Sequence, residues 1–364
     1  MLVFITAGDP SADEHAARLM AAMRTRIPNV VFEGFGGPAM ELQGLRSVAH
    51  LRDLAVSGIW EVAKRIGYFR TLMKTCTTLM ERRKPDLYIA VDYPGFNLRL
   101  ARRAKALGVP VAWYIAPQLW AWGKDRAKKL ASVVDLLMVV FPFEVDFFNS
   151  FGIRTHHVGH PLLDQLAGQP PAQERRGILL MPGSRHHEVA GHVPILVPVA
   201  REMVEGGFGV SVARARTIGD DELAPLTNVG ATIVTNSREA MRTHAAGLIK
   251  AGTSTLEASV IGLPFATFYR TSWLSYTMGK QLVNVDSITM ANLLLNEKVY
   301  KEFIQADAVP RAMAEELRSL ATNVDRQHEM QQATQRIREL LGGSGAAERA
   351  AELIAVTFGK EHRI

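Results

Sequence analysis

The chain has 364 residues, 48% of them hydrophobic and 21% charged, with a net charge of +6. That length is too great for one core of ordinary size, and the composition excludes wholesale disorder, so two globular domains are expected. A single cysteine, Cys76, excludes an internal disulfide and suits the cytoplasm, while the basic balance points to an anionic partner without choosing among nucleic acid, nucleotide and acidic membrane.

In chain order, residues 2–7 (LVFITA) read as a buried parallel strand, followed by the turn Gly8-Asp9-Pro10-Ser11-Ala12-Asp13 and a helix over 13–23. This start has no basic lead and does not read as a signal peptide. The turn lacks a G-x-G-x-x-G fingerprint, which argues against a nicotinamide enzyme. Locally, Ser11 or Asp13 is a plain N-cap. Residues 30–35 form a second strand, which ends in Gly36-Gly37-Pro38 and a short helix with Met40.

Over 57–84, Ile59, Val62, Ile66, Phe69, Met73, Cys76 and Met80 step by three and four, a helical stripe. Seven Lys/Arg stand there against two Glu. A wide apolar face beside a basic one suits a membrane surface or an acyl-chain site, and equally suits a domain helix with a solvated basic side.

Strands at 86–92, 111–115 and 135–141 alternate with helices, and an aromatic loop, Pro117-Gln118-Leu119-Trp120-Ala121-Trp122, precedes a basic helix over 124–129. The longest apolar run, 136–143, is far too short to span a bilayer. Val158-Gly159-His160-Pro161 closes the first half, and 168–176 reads as the linker.

The second half opens with strand 178–181 and the turn Pro182-Gly183-Ser184-Arg185 before a helix over 186–204. A strand that ends in a Gly turn and opens a helix presents free backbone N–H groups. With an Arg in the turn, it suits a phosphate or diphosphate. Strands follow at 209–213, 232–235 and 246–250, the last ending in Gly252-Thr253-Ser254-Thr255-Leu256-Glu257, a second such mouth. A strand at 264–269, a helix at 273–283 and three helices at 310–322, 326–341 and 346–358 complete the chain. No His or Cys spacing matches a metal site. The alternation predicts an α/β fold, two halves with parallel sheets and a central cleft at the carboxyl ends of their strands.

These motifs, taken in order, resemble the lipid-A-disaccharide synthases, inverting glycosyltransferases of the two-Rossmann-domain (GT-B) type. The resemblance rests on Ala7-Gly8-x-x-Ser11-x-Asp13; Gly36-Gly37-Pro38-x-Met40; Ser57-Gly58-Ile59-x-Glu61-Val62; Asp92-x-Pro94-x-Phe96-Asn97; and Pro117-Gln118-x-Trp120-Ala121-Trp122. It continues through Pro142-Phe143-Glu144, Val158-Gly159-His160-Pro161, Pro182-Gly183-Ser184-Arg185, Gly252-Thr253-x-Thr255-Leu256-Glu257, Asn292 and the Glu302/Gln305 pair.

The resemblance implies transfer of 2,3-diacylglucosamine from UDP-2,3-diacylglucosamine to 2,3-diacylglucosamine 1-phosphate, with inversion and release of UDP. It implies an acceptor and lipid domain at 1–167, a UDP-sugar domain at 168–342, and a terminal segment, 343–364, that crosses back by analogy with this architecture. Gly183, Ser184, Arg185, Gly252, Thr253, Thr255, Glu257, Asn292 and Gln305 are then expected at the nucleotide. Ile59, Trp60, Val62, Ile66, Phe69, Met73, Trp120 and Trp122 are expected at lipid. No metal and no cofactor are expected, nor a nucleic-acid partner. The enzyme is expected in the cytoplasm, peripheral to the inner membrane.

One departure bears on the chemistry. Where many relatives read D-x-P-D-F-N, with the second acid the favoured catalytic residue, this chain has Gly95. An inverting transfer needs a proton acceptor, and the remaining candidates are Asp92, Asp13, Glu144 and His15, in that order. Lys250 stands where a small residue is usual. Two other readings fit the same features: a different UDP-sugar enzyme on this fold, or a binding protein that lost catalysis.

Overall fold

The computed structural model describes residues 1–50, 66–166, 175–271 and 287–359. They form two compact units, Met1–Gln165 with Leu341–Ile364, and Leu166–Leu340.

Among the described residues, the first unit is built on seven strands: β1 (Leu2–Ala7), β2 (Val31–Gly36), β3 (Leu45–His50), β4 (Leu87–Val91), β5 (Val111–Tyr114), β6 (Leu136–Val139) and β7 (Thr155–His157). All pair in parallel, in the order β3-β2-β1-β4-β5-β6-β7. Their period of two divides the core. Val3, Ile5 and Ala7 face the helix Pro10–Arg26 and the last helix, Ala346–Phe358, whereas Phe4, Tyr88 and Trp113 pack with the helices Ile66–Arg83 and Pro94–Ala106 on the other side.

The second unit has β8 (Ile178–Met181), β9 (Val210–Ala213), β10 (Thr232–Val234), β11 (Ala246–Lys250), β12 (Phe265–Tyr269) and β13 (Glu302–Ile304), parallel in the order β10-β9-β8-β11-β12-β13. Each sheet grows outward from its first strand in both directions. The switch points therefore lie between β1 and β4 and between β8 and β11, beyond whose carboxyl ends such sheets bind ligands.

The terminal helix is tied to the first unit by the Val158-Gly159-His160-Pro161 turn. His160 N–H donates to Leu341 O at 3.0 Å, Arg349 Nε to Val158 O at 2.8 Å, and Asp164 accepts from Ala346 N at 3.1 Å. No described helix is long and apolar enough to cross a membrane.

Strands β3, β7 and β13 are not anticipated by the sequence. Each is an outermost strand, and two of them are only three residues long. Arg46, Ser47 and His50 in β3, and His156 and His157 in β7, dilute the apolar signal that a strand flanked on both sides carries. The expected aromatic loop is a single helical turn, Leu119–Trp122. The expected helix at 273–283 and the residues Ile59, Trp60 and Val62 lie outside the described residues.

Candidate active site

At the first switch point, β4 is followed by two consecutive residues with left-handed backbone, Asp92 at φ 45° and Tyr93 at φ 49°. Non-glycine residues hold that region only where surrounding contacts impose it. Here the contacts come from Asn97, whose Nδ2 donates to Asp92 O at 2.8 Å while its Oδ1 accepts from Thr6 Oγ1 at 2.9 Å and Tyr88 OH at 3.2 Å. Asn97 is fully buried, so the network fixes the turn from below. From above, the Tyr93 ring lies on Gly8. A Cβ at Gly8 would sit 2.2 Å from Tyr93 Cγ, which is why this turn needs glycine.

The Asp92 carboxyl is pushed up to about 6, first by burial and second by the neighbouring charge of Asp9, against a lowering hydrogen bond from the Tyr93 backbone. Asp9 follows β1 and caps the helix Pro10–Arg26 by accepting from Ala12 N at 2.9 Å. The switch point thus holds two acids, one of them poised to take a proton near neutral pH.

Asp13 has a different task. It is buried and accepts from Gly37 N at 2.7 Å, Ala39 N at 3.0 Å and Met40 N at 3.1 Å. Those three amides belong to the Gly36-Gly37-Pro38 turn and its short helix, so Asp13, the second candidate for the proton acceptor, ties these segments together.

Glu144 is also fully buried, accepting from Trp120 Nε1 and from Phe141 N, each at 3.1 Å. Burial pushes its carboxyl up to about 7, against those hydrogen bonds. Its bonds hold the Trp120 indole, which meets the Phe143 ring edge-on with centroids 5.0 Å apart. His15 Nε2 lies 3.1 Å from Ser11 Oγ, one turn away on the same helix. Gly95 is exposed in the first turn of the helix Pro94–Ala106, and a Cβ there would meet nothing within 4 Å.

Part of the expected lipid stripe packs inward. Phe69 and Met73 pack against the first unit's core beside Leu72, Cys76 and Met80, and the Phe69 ring lies 6.4 Å from Phe96. Over 66–83 the apolar face therefore turns inward, and solvent meets Arg70, Lys74 and Arg82. The side chains of Ile66 and Trp122 lie outside the described ones.

At the second switch point the chemistry is basic. Arg185 is the N-cap of the helix His186–Glu205, which has no side-chain cap, and its own side chain is 69% exposed. Gly183, at φ 125°, gives the turn its shape, since a Cβ would fall 3.2 Å from Glu188 Oε2. Ser184 is exposed, and its carbonyl accepts from Thr217 Oγ1 at 2.6 Å. Buried His192 is placed to donate from Nδ1 to Pro182 O at 2.7 Å.

Across the switch point, Gly252 and Thr253 are exposed at the start of the helix Thr253–Ile261, which also lacks a side-chain cap. Two uncapped helix mouths beside an arginine form a field for an anion. Glu257 is half-buried and paired with Arg238, a residue that no motif singles out.

Three of the residues expected at the nucleotide make hydrogen bonds within their own unit. Thr255 is fully buried and donates to Gly252 O at 2.7 Å. Asn292, also buried, donates to Tyr300 O at 2.7 Å and accepts from Tyr300 N at 2.9 Å, which leaves its amide no outward face. Gln305, at φ 54°, clasps Thr271, accepting from its N at 3.0 Å and donating to its O at 3.2 Å. Glu302 gathers Thr289 N at 2.8 Å, Ile288 N at 3.2 Å and Asn292 Nδ2 at 3.2 Å.

Comparison with known proteins shows the family and the fold. A family model described as lipid-A-disaccharide synthetase matches residues 3–357. The chain is 36% identical to the lipid-A-disaccharide synthase of Syntrophus aciditrophicus, over 99% of this chain and 98% of that one. It is 35% identical to that of Myxococcus xanthus, over 97% and 96%. Among solved structures it is similar to the UDP-GlcNAc 2-epimerase of Neisseria meningitidis bound to UDP-GlcNAc, with a TM-score of 0.63, 12% identity and coverage of 98% and 99%. It is also similar to the calicheamicin glycosyltransferase CalG4, with a TM-score of 0.63, 15% identity and coverage of 99% and 98%. At those identities the structural likeness speaks for the fold alone.

Proposed function

This chain belongs to the lipid-A-disaccharide synthase family, a glycosyltransferase family of GT-B fold, and from that premise we propose how its residues divide the work. The donor is UDP-2,3-diacylglucosamine and the acceptor 2,3-diacylglucosamine 1-phosphate. The second unit takes the diphosphate at the turns Gly183–Arg185 and Gly252–Thr253. Arg185 and the two helix N-termini stabilise the charge that grows on UDP as it leaves, so no metal is called on.

Asp92 is the base. It takes the proton of the acceptor hydroxyl as that oxygen attacks the anomeric carbon from the face opposite UDP, which inverts the configuration. The observation that carries this assignment is the pairing of position and protonation. Among the four candidate bases, Asp92 stands at the carboxyl end of a switch-point strand with its carboxyl raised to about 6. Asp13 and Glu144 are enclosed by their own hydrogen bonds. Exposed Arg70, Lys74 and Arg82 suit peripheral docking at an anionic membrane, in keeping with a lipid acceptor at the cytoplasmic side of the inner membrane.

The test is turnover in detergent with the two acylated substrates, with the product read by mass spectrometry. Acylated disaccharide 1-phosphate is expected. UDP binding without any disaccharide would overturn the catalytic reading.

A further inference from the structure

Lys250 ends β11, and neither the proton transfer at Asp92 nor the diphosphate contacts of Arg185 and the two turns employ it. Its Nζ lies 3.0 Å from Glu188 Oε1, the same oxygen that Arg185 Nη1 approaches at 3.0 Å. Glu188 comes from the first turn of the helix that Arg185 caps. Burial opposes its ionisation, but the bonds and charges of Lys250 and Arg185 outweigh this and hold the carboxyl below the usual range. Its second oxygen, Oε2, is buried with no hydrogen-bond partner. One acid therefore fixes two cations and leaves the cluster with a net positive charge.

The placement of the lysine is specific. Its Cδ lies 3.8 Å from where a Cβ on Gly183 would stand, and its Nζ lies 3.8 Å from where a Cβ on Gly252 would stand. The side chain thus spans the two glycine turns, its ammonium 5.5 Å from the centre of the Tyr269 ring and 17% of the side chain exposed. An ammonium has three donors, and one carboxylate oxygen takes one of them. An anion with two phosphates, one over each turn, would bring its bridging region to this nitrogen. A monophosphate fills one turn and leaves the other empty.

We propose that Lys250, held in place by Glu188, is a second cation of the diphosphate site and makes this unit favour a nucleoside diphosphate over the corresponding monophosphate. The proposal rests on the reading of this unit as the UDP site. A purely structural ion pair would affect both nucleotides alike.

The experiment is calorimetric titration of UDP and UMP into the full chain as wild type, Lys250→Met, Lys250→Arg and Glu188→Gln, with thermal melts run alongside. Expected for Lys250→Met is a loss of roughly 10- to 100-fold in UDP affinity, the scale of a charge-assisted contact, with UMP affinity changed less than about threefold. Lys250→Arg should restore most of the difference, which keeps the test usable if the methionine variant melts early. Glu188→Gln should lower UDP affinity by a smaller factor through looser cations. Equal losses for UDP and UMP, or no loss for either, would overturn the role of Lys250 while leaving the UDP site standing. Failure of the wild type to bind either nucleotide would overturn the underlying reading as well.

Discussion

The two switch points share one topology and carry opposite chemistry. In the first unit, the turns after β1 and β4 bring Asp9 and Asp92 together, and burial and the charge of Asp9 make Asp92 harder to ionise. In the second, the turns after β8 and β11 bring together Arg185 and Lys250, with Glu188 binding both. The fold supplies a pair of strand ends, and a few side chains decide whether they hold a proton or a phosphate. The acidic site is also the strained one, with left-handed Asp92 and Tyr93. The basic site needs only glycine to turn. A base has to be aimed at one atom, whereas a diphosphate is met by a field of donors, and the backbone strain follows that difference.

The most direct way to break the comparison is Asp92→Asn. If Asp92 takes the proton, kcat falls by about 100-fold or more, the scale of a general base. The wild-type rate should rise with pH through about 6, and this limb should vanish in the variant. The stability effect runs the other way. A raised carboxyl pKa means that the folded state holds its proton more tightly than the unfolded chain does. Folding stability is therefore lost as pH climbs from the ordinary carboxylate range to about 6, and the loss is complete above it. At pH 7.5 the Asn variant should be more stable by about 1–3 kcal/mol, measurable by urea denaturation. Asp9→Asn keeps the helix cap but removes the like charge, so the limb should move to lower pH with kcat largely retained.

On the basic side, Arg185→Ala should weaken UDP binding by about 1.5–3 kcal/mol. Unchanged affinity in a titration would show that the diphosphate lies elsewhere. Next comes Asp13→Ala, which strands the amides of Gly37, Ala39 and Met40. A loss of about 2–3 kcal/mol of stability is expected. Its pH–rate limb near 6 should stay in place in whatever fraction remains folded, and loss of that limb would return Asp13 to the chemistry.

Much of this is legible in the sequence. The strand-turn-helix mouths at Gly8, Gly183 and Gly252, and the acid at the end of β4, follow from apolar runs closed by glycine and need no structure. What the sequence does not show is the direction of the side chains. Thr255, Asn292 and Gln305 are expected at the nucleotide from the resemblance, yet each bonds to the backbone of its own unit, and a motif carries identity without orientation. Asp13 and Asp92 look alike as acids in switch-point turns, and only their hydrogen bonds separate them. Asn97 belongs to a motif, but its work on the Asp92 carbonyl depends on Thr6 and Tyr88, 91 and 9 residues away. The helical stripe over 66–83 admits two readings, and the burial of Leu72, Cys76 and Met80, with Phe69 and Met73 half-buried beside them, shows an inward face that the sequence pattern does not distinguish from a lipid-facing one.

The smallest effect sharpens the comparison most. Gly95 occupies the position at which many relatives carry the second acid. It lies in the first turn of an uncapped helix, its backbone is outside the left-handed region, and a Cβ would meet nothing within 4 Å. Gly95→Asp is therefore expected to fold, and to gain about 0.5–1 kcal/mol from replacing helical glycine and from a negative charge at a helix N-terminus. If Asp92 already carries the reaction, the variant's kcat should stay within about threefold of wild type. The informative partner is the double variant, Asp92→Asn with Gly95→Asp. A carboxylate at Gly95, three residues on in the exposed first turn of the helix, stands after the same strand, so partial recovery over Asp92→Asn alone would place proton transfer at this switch point whichever residue performs it. A rise of tenfold or more in the single Gly95→Asp variant would instead mean that Asp92 is a poor substitute and that this chain works with an impaired base. The two outcomes separate on the same rate assay.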